Sequence, residues 1–136
     1  MKRLKIAIQK SGRLNEDSLK ILKECGISVS NGLDQLKATV RNFPMEIFYL
    51  RNSDIPQYLL DGVVDIAIIG ENLLVEKDQG KIQVVEKLNF SKCRVSLAVP
   101  KSVEYNSIED LRGKRIATSY PNTLNKYLSS QNVEAE

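Results

Sequence analysis

The chain has 136 residues, 27% of them charged, and a formal net charge of +3. At roughly 100–200 residues per domain, this length favours a single domain. The absence of histidine excludes Ser-His-Asp and Cys-His nucleophile systems, and zinc sites built on imidazole, from these residues. The basic residues are scattered, whereas nucleic-acid binding is indicated by a basic stripe with interleaved aromatic residues, so we expect no nucleic-acid partner.

The N-terminal residues and the cysteines indicate a cytoplasmic protein. Met1–Ile8 leads directly into a strand pattern and lacks the apolar stretch and cleavage site of a signal peptide. No stretch approaches the ~20 apolar residues of a membrane helix, so we expect no membrane association. Cys25 and Cys93 are expected to be free thiols, with Cys93 a small buried hydrophobic residue.

The first elements form a strand–loop–helix unit. The alternating residues of Lys5–Gln9 predict a strand, and Ser11–Arg13 predicts a turn. Asn15 is the predicted N-cap of a helix over Glu16–Glu24, and Gly26 stands where a helix C-terminal glycine belongs.

The next stretch predicts a turn, a strand and a second helix. Asn31-Gly32 suits a hairpin-like turn between Ile27–Ser30 and Gln35–Val40, because both of its residues tolerate positive φ. Glu46–Arg51 predicts a strand. A helix is predicted over Asp54–Leu60, with its first residue as the N-cap.

The most apolar run, Val63–Ile69, predicts a central strand buried on both faces. A helix around Leu73–Lys77 follows it. Strands that alternate with helices predict an α/β fold with a largely parallel sheet.

The remaining residues predict a second series of elements. Further strands are predicted at Val84–Leu88, Cys93–Val99 and Arg115–Thr118. A capping box beginning at Ser107 predicts a short helix, and a second helix is predicted at Thr123–Ser130. The part from about Val95 onward has too few elements to bury much apolar area, so we expect it to be an incomplete unit.

Ligands of open α/β sheets bind beyond the carboxyl ends of the strands. Lys10, Gly12 and Arg13 lie in such a loop, where glycine, backbone amides and cationic side chains favour a phosphate. An ordinary loop with solvated charges is the alternative.

Other polar residues follow the predicted strands in the same way. Glu71 and Asn72, after Gly70, could contact a ribose, a base or a cation, or could simply begin a helix. Arg51 could contact a phosphate, whereas Asp54 is better explained as a helix cap. Further candidates, each with an alternative as a capping or surface residue, are Ser119, Asn122 and Arg94.

Six segments, taken in order, resemble the ATP phosphoribosyltransferase family, and the resemblance covers almost the whole chain. The segments are Ile6–Leu14 (IAIQKSGRL), Asp54–Pro56 (DIP), Asp61–Asp65 (DGVVD), Gly70–Asn72 (GEN), Cys93–Ala98 (CRVSLA) and Gly113–Pro121 (GKRIATSYP). The resemblance implies a two-lobed fold like the type II periplasmic binding proteins, with substrates in the cleft. Residues 1–93 would be the first lobe and residues 94–136 the start of an incomplete second lobe.

The resemblance also implies a glycosyltransferase of histidine biosynthesis. N1 of ATP would attack the phosphoribosyl carbon of phosphoribosyl pyrophosphate, and pyrophosphate would leave with Mg²⁺. Family members assemble into homo-oligomers and carry a Gly-, Ala- and Thr-rich phosphate loop after the segment matching Thr123–Ser130. Because these 136 residues lack that loop, we expect little or no turnover from them alone. A cytoplasmic small-molecule binding module of the same fold is the alternative.

Overall fold

The computed structural model describes residues 2–30, 36–77 and 80–136. In these residues four strands form one sheet in the order β2-β3-β1-β4, with β1 parallel to both neighbours and β2 antiparallel to β3. The strands are β1 (Leu4–Gln9), β2 (Lys37–Thr39), β3 (Met45–Leu50) and β4 (Ile66–Ala67). The helices are α1 (Gly12–Glu24), α2 (Ile55–Leu60), α3 (Glu71–Lys77) and α4 (Pro121–Ser130), and 3-10 turns span Asn52–Asp54 and Ile108–Leu111.

The core lies on both faces of β1. Ile6 and Ile8 pack with Leu22 of α1 on one face, whereas Ala7 packs with Ile55 of α2 on the other. Alternate residues of a strand point to opposite faces, so β1 is covered by one helix on each side. This arrangement confirms the predicted α/β fold with a mainly parallel sheet.

Helix α1 begins earlier than predicted. Its first residue is Gly12 and its N-cap position is Ser11, whereas the sequence favoured Asn15 as the cap. The side-chain amide of Asn15 instead donates to the carbonyl of Gln9 at 2.8 Å. The predicted start was wrong because Gly12 adopts a φ of +85°, which lets the chain turn into the helix directly after the strand.

The end of α1 confirms the prediction for Gly26. This residue has a φ of +78°, and its amide donates to Lys23 at 2.9 Å. The amide of Ile27 donates to Leu22 at 2.9 Å, which completes a Schellman motif. The carbonyl groups of the last turn are therefore satisfied by the glycine cap.

The predicted turn at Asn31-Gly32, and Gln35, lie outside the described residues. Ile27–Ser30 does not form a strand, and β2 pairs with β3 rather than with this segment. The Asn42 side chain holds the segment instead, accepting from the amide of Ser28 at 2.9 Å and donating to the carbonyl of Gly26 at 2.7 Å.

The prediction of a central strand at Val63–Ile69 was wrong. Only Ile66–Ala67 is a strand, and β4 is an edge of the sheet. Val63 and Ile66 are 42% and 39% exposed. β4 pairs only with β1, and no strand in the described part of the chain covers its other side. A central strand pairs along both of its edges, whereas this run pairs along one only.

The strands predicted at Val84–Leu88, Cys93–Val99 and Arg115–Thr118 are not formed either. The first two segments have no strand partner among the described residues, and their apolar side chains are largely exposed. Cys93 is exposed rather than buried for the same reason. In the third segment, the amide of Ile116 donates to the carbonyl of Glu136 at 2.6 Å without forming a strand.

The predicted helices are present with shifted boundaries. α3 begins at Glu71 and α4 at Pro121, each two residues before its predicted start. The capping box at Ser107 is confirmed, although the element it begins is a 3-10 turn. Asp54 holds the N-cap position of α2, but its side chain makes no capping hydrogen bond. Across residues 2–30, 36–77 and 80–136, no helix combines the length and apolar character of a membrane span.

Candidate ligand-binding edge of the sheet

Three of the predicted loops meet at one edge of the sheet. β1 is parallel to β3 and to β4, with Gln9 opposite Leu50 and Ala7 opposite Ala67. The carboxyl ends of these strands therefore share an edge, and the loops that follow them emerge side by side. We call the group of loops Lys10–Arg13, Arg51–Asp54 and Gly70–Asn72 the ligand edge.

The central loop of the ligand edge carries cationic side chains beside a helix N-terminus. The amide of Lys10 donates to the carbonyl of Leu50 at 2.9 Å, which fixes the backbone at the strand end. The side chains of Lys10 and Arg13 are exposed. Ser11 makes no side-chain capping bond to α1, so the N-terminal end of this 13-residue helix is not capped by its own N-cap residue. A helix N-terminus and two nearby cations together favour a phosphate.

On one side of this loop lies Arg51, an exposed residue whose carbonyl accepts from the amide of Asp54 at 2.9 Å. The next residue, Asn52, was missed by the sequence reasoning. Its side-chain oxygen is buried and has no hydrogen-bond partner in the described residues. An acceptor left unpaired in this way is uncommon, because burial costs a polar group its hydration. No sequence signal distinguishes it beyond its place after a strand.

On the other side lies the turn before α3. Glu71 forms an ion pair with Lys87 at 3.4 Å, but both side chains are more than 70% exposed, so the pair contributes little stability. Asn72 is more constrained: its side-chain amide donates to the hydroxyl of Tyr120 at 2.9 Å. A Cβ atom at Gly70 would lie 2.6 Å from the Asn72 side-chain oxygen, so this side-chain position requires glycine at 70.

The Asn72–Tyr120 bond brings the segment before α4 to the ligand edge. Ser119 is exposed and precedes Tyr120, whose amide donates to the Thr118 hydroxyl at 2.9 Å. The amides of Asn122 and Thr123 donate to the carboxylate of Glu76. The N-terminal amides of α4 are thus already bound inside the protein. Asn122 is not the N-cap of α4, because Tyr120 holds that position and the Asn122 side-chain amide donates to the carbonyl of Glu76.

Glu76 is the second residue that the sequence reasoning missed. It is 4% exposed, although it is a carboxylate on a short helix. A signal was available, because Asn72 and Glu76 are four residues apart and therefore share one face of α3. Two polar residues on one helical face indicate a polar contact between elements.

Within the described ranges, no hydrogen bond or ion pair of Arg94 ties it to the ligand edge. It is exposed on an extended segment. That segment is held near α1 by a hydrogen bond from the hydroxyl of Ser91 to the carboxylate of Asp17.

Two cavities lie away from the ligand edge. One, of about 440 Å³, is lined by Arg3, Arg41, Asn42, Phe43 and Pro44 at the opposite end of the strands. The other, of about 340 Å³, lies beside the C-terminal part of α4. Neither is lined by a residue predicted to contact ligand. The side chains of Lys10, Arg13 and Arg51 are exposed at the ligand edge.

The acidic residues of the ligand edge do not belong to a larger cluster of metal-ligating side chains among the described residues. Within residues 2–30, 36–77 and 80–136, no three His, Cys, Asp or Glu residues converge on one point. Asp54 and Glu71 are the acidic residues of the ligand edge, and they lie in different loops. A divalent cation at this edge would take its remaining ligands from a bound phosphate or pyrophosphate.

A mainly parallel α/β sheet with cationic loops at its carboxyl edge is typical of proteins that bind phosphorylated ligands. Comparison with known proteins gives the family. The family model described as HisG, ATP phosphoribosyltransferase, matches residues 51–136. The chain belongs to the ATP phosphoribosyltransferase family.

Its relatives include curated ATP phosphoribosyltransferases of two bacteria. The chain is 54% identical over 132 residues to the protein of Cytophaga hutchinsonii, a match that covers 97% of this chain and 46% of the relative. It is 45% identical over 133 residues to that of Parabacteroides distasonis, covering 98% and 47%. The chain therefore spans about half the length of the curated relatives it matches.

A solved structure is also similar. It is the ATP phosphoribosyl transferase (HisG:HisZ) complex from Thermotoga maritima, with a TM-score of 0.65 and 27% sequence identity. The match covers 98% of this chain and 62% of that one. The family resemblance drawn from the six sequence segments is thus confirmed.

Proposed function

We propose that the chain contributes the substrate-binding edge of an ATP phosphoribosyltransferase, which transfers the phosphoribosyl group of phosphoribosyl pyrophosphate to N1 of ATP in the first step of histidine biosynthesis. The observation that carries the proposal is the meeting of Lys10, Arg13 and Arg51 at one edge of the sheet, beside the N-terminus of α1. Both substrates are polyanions, and this edge gathers cations and backbone amides.

The chemistry requires no protein nucleophile, in agreement with the absence of histidine from these residues. N1 of the purine forms a bond to the anomeric carbon, and the bond from that carbon to pyrophosphate breaks. The protein would act by holding the two substrates in line and by stabilising charge on the leaving pyrophosphate. Mg²⁺ would enter bound to the pyrophosphate substrate.

Each group at the ligand edge then has a role. Lys10, Arg13 and Arg51 would contact phosphate or pyrophosphate, and Arg94 would join them from the extended segment. Glu71 and the free oxygen of Asn72 would contact the ribose or the base. Gly12 would let the backbone approach a phosphate closely. Ser119 would contribute a hydroxyl from the segment before α4.

The proposed architecture has two lobes with the substrates between them, as in type II periplasmic binding proteins. Residues 1–93 would form the first lobe and residues 94–136 the start of the second. The position of the buried core supports this division, because the two clusters of buried residues packed around the sheet all lie between Ile6 and Val64. We further propose that the protein acts in the cytoplasm as a homo-oligomer. The exposed, unpaired Cys25 and Cys93 suit a reducing compartment.

Calorimetric titration of the 136-residue protein with ATP tests the binding role. Arg13→Ala should weaken ATP binding about tenfold, the loss expected for one charge-assisted contact of roughly 1.5 kcal/mol. Arg41→Ala is the matched control, because Arg41 is exposed at the opposite end of the strands and should leave the affinity unchanged. Equal affinities for all three proteins would remove Arg13 from the site.

A second assay separates the enzyme from a binding module. The protein is mixed with ATP, phosphoribosyl pyrophosphate and Mg²⁺, and pyrophosphate release is measured. We expect ATP affinity with little or no release from the 136 residues, and robust release would contradict that expectation. For a protein of full family length, ligand binding without any product would favour the binding module over the transferase.

A further inference from the structure

The N-terminal and C-terminal parts of the chain are joined by very few polar contacts. Every hydrogen bond between residues 2–77 and residues 108–136, as far as the structure describes them, is made by Asn72 or Glu76. No ion pair in the described ranges crosses between the two parts. The contact therefore depends on one face of α3, where both residues lie.

Glu76 makes three of these hydrogen bonds. One carboxylate oxygen accepts from the amide of Asn122 at 2.9 Å, and the other accepts from the amide of Thr123 at 3.0 Å. The carbonyl of Glu76 accepts from the side-chain amide of Asn122 at 3.2 Å. The carboxylate is buried, and no Lys or Arg among the described residues pairs with it.

These contacts complete the N-terminus of α4. The first four amide positions of a helix have no partner within it. Here Tyr120 donates to Thr118, Pro121 has no amide hydrogen, and Asn122 and Thr123 both donate to Glu76. The first internal bond of the helix runs from Leu124 to the carbonyl of Tyr120. A carboxylate from a different helix thus supplies the cap that the N-cap residue Tyr120 does not provide.

We propose that Glu76 is a positioning residue, which joins α3 to the N-terminus of α4 and thereby sets the Thr118–Tyr120 segment against the Gly70–Asn72 turn. This contact between α3 and α4 requires a negatively charged group with two hydrogen-bond acceptors. A negative charge at a helix N-terminus is favoured by the helix dipole, and each carboxylate oxygen receives one amide. This inference does not depend on which ligand the edge binds.

Amide exchange in the unmodified protein is the first test, and it needs no variant. The amides of Asn122 and Thr123 lack an acceptor within α4, so their hydrogen-bond protection comes from the Glu76 carboxylate. We expect both to exchange at least about tenfold more slowly than unprotected amides of the same sequence, as read by NMR. Exchange at the unprotected rate would overturn the proposal, whether or not any variant folds.

Glu76→Gln is the second test. The side chain keeps its size, but its NH₂ group is a donor and would face one of the two donating amides. The distance between spin labels on Cys25 and on S129C, in a C93S background, reports how the two parts are placed. We expect a narrow distribution with Glu76 and a clearly broader one with Glu76→Gln, while the resonances of β1 and β3 stay in place.

Glu86→Gln is the matched control, because Glu86 is exposed and should leave the distribution unchanged. A broad distribution in Glu76→Gln with the amide of Leu128 still protected from exchange supports positioning. An unchanged distribution overturns the proposal. Loss of protection throughout α4 also overturns it, because Glu76 would then stabilise the helix rather than place it.

Discussion

The side-chain amide of Asn72 donates to the hydroxyl of Tyr120, 48 residues further along the chain, at 2.9 Å. This bond connects the turn after β4 with the segment before α4. Asn72 also lies one helical turn from Glu76, whose carboxylate binds the amides of Asn122 and Thr123. Two polar residues on one face of α3 therefore determine how the C-terminal part meets the ligand edge.

Removing the Asn72–Tyr120 bond should destabilise the protein modestly. Tyr120→Phe and Asn72→Ala should each lower the free energy of unfolding by about 0.5–1.5 kcal/mol, the usual net contribution of one hydrogen bond. The double variant should cost less than the sum of the two, because both changes remove the same bond. Urea unfolding of all four proteins measures the coupling, and strictly additive effects would show that the bond contributes nothing.

Gly70→Ala should disturb the same contact from the other side. The new methyl group would meet the Asn72 side-chain oxygen at 2.6 Å, so the side chain must rotate and release Tyr120. We expect a loss of about 1 kcal/mol in unfolding free energy. In an Asn72→Ala background the same substitution should cost much less. An equal loss of unfolding free energy in both backgrounds, again measured by urea unfolding, would show that the loss does not come from the contact with Asn72.

Much of this fold can be predicted from the sequence, and the predictions that are wrong have physical causes. The segments Lys5–Gln9 and Glu46–Arg51, predicted as strands, form β1 and β3, which pair from Leu4 opposite Met45 to Gln9 opposite Leu50. Val63–Ile69 carries an equally strong pattern, yet it is an exposed edge with a two-residue strand. Periodicity records what a strand could bury, whereas pairing depends on a neighbour that the pattern does not encode.

Gly12→Ala should strain the turn from β1 into α1. The residue has a φ of +85°, a conformation that costs a non-glycine residue about 1–2 kcal/mol. Gly62→Ala is the matched control, because Gly62 has a φ of +72° at the end of α2. Thermal unfolding should show similar losses for both, while calorimetry with ATP shows weaker binding for Gly12→Ala alone. Equal ATP affinities would show that Gly12 takes no part in ATP binding.

Acid should weaken the 3-10 turn at Ile108–Leu111 through Asp110. Backbone hydrogen bonds from Asn106 and Ser107 hold the pKa of this carboxyl below its ordinary 3.8. A lowered folded-state pKa stabilises the protein above pH 3.8, and this contribution is lost as the pH falls through the folded value. NMR titration should give a midpoint under 3.8. A midpoint at or above 3.8 would mean that the two amides do not bind the carboxylate in solution.

Only part of the candidate site could be predicted from the sequence. Lys10, Gly12, Arg13 and Arg51 could be placed at one edge from sequence, because parallel strands end together and each residue follows a strand. Glu76 was missed because its partners are backbone amides of a helix 46 and 47 residues away. Almost every residue has a backbone amide, so the residue types at positions 122 and 123 do not show that their amides bind a distant carboxylate.

The most direct test of the account is an NMR titration of the ¹⁵N-labelled protein with ATP. We predict that the largest amide shifts fall on Lys10–Arg13, Arg51 and Gly70–Asn72, and that the amides around the Arg41 cavity do not shift. Shifts confined to the Arg41 cavity, or no saturable shifts at millimolar ATP, would contradict the assignment of the sheet's carboxyl edge as the nucleotide site.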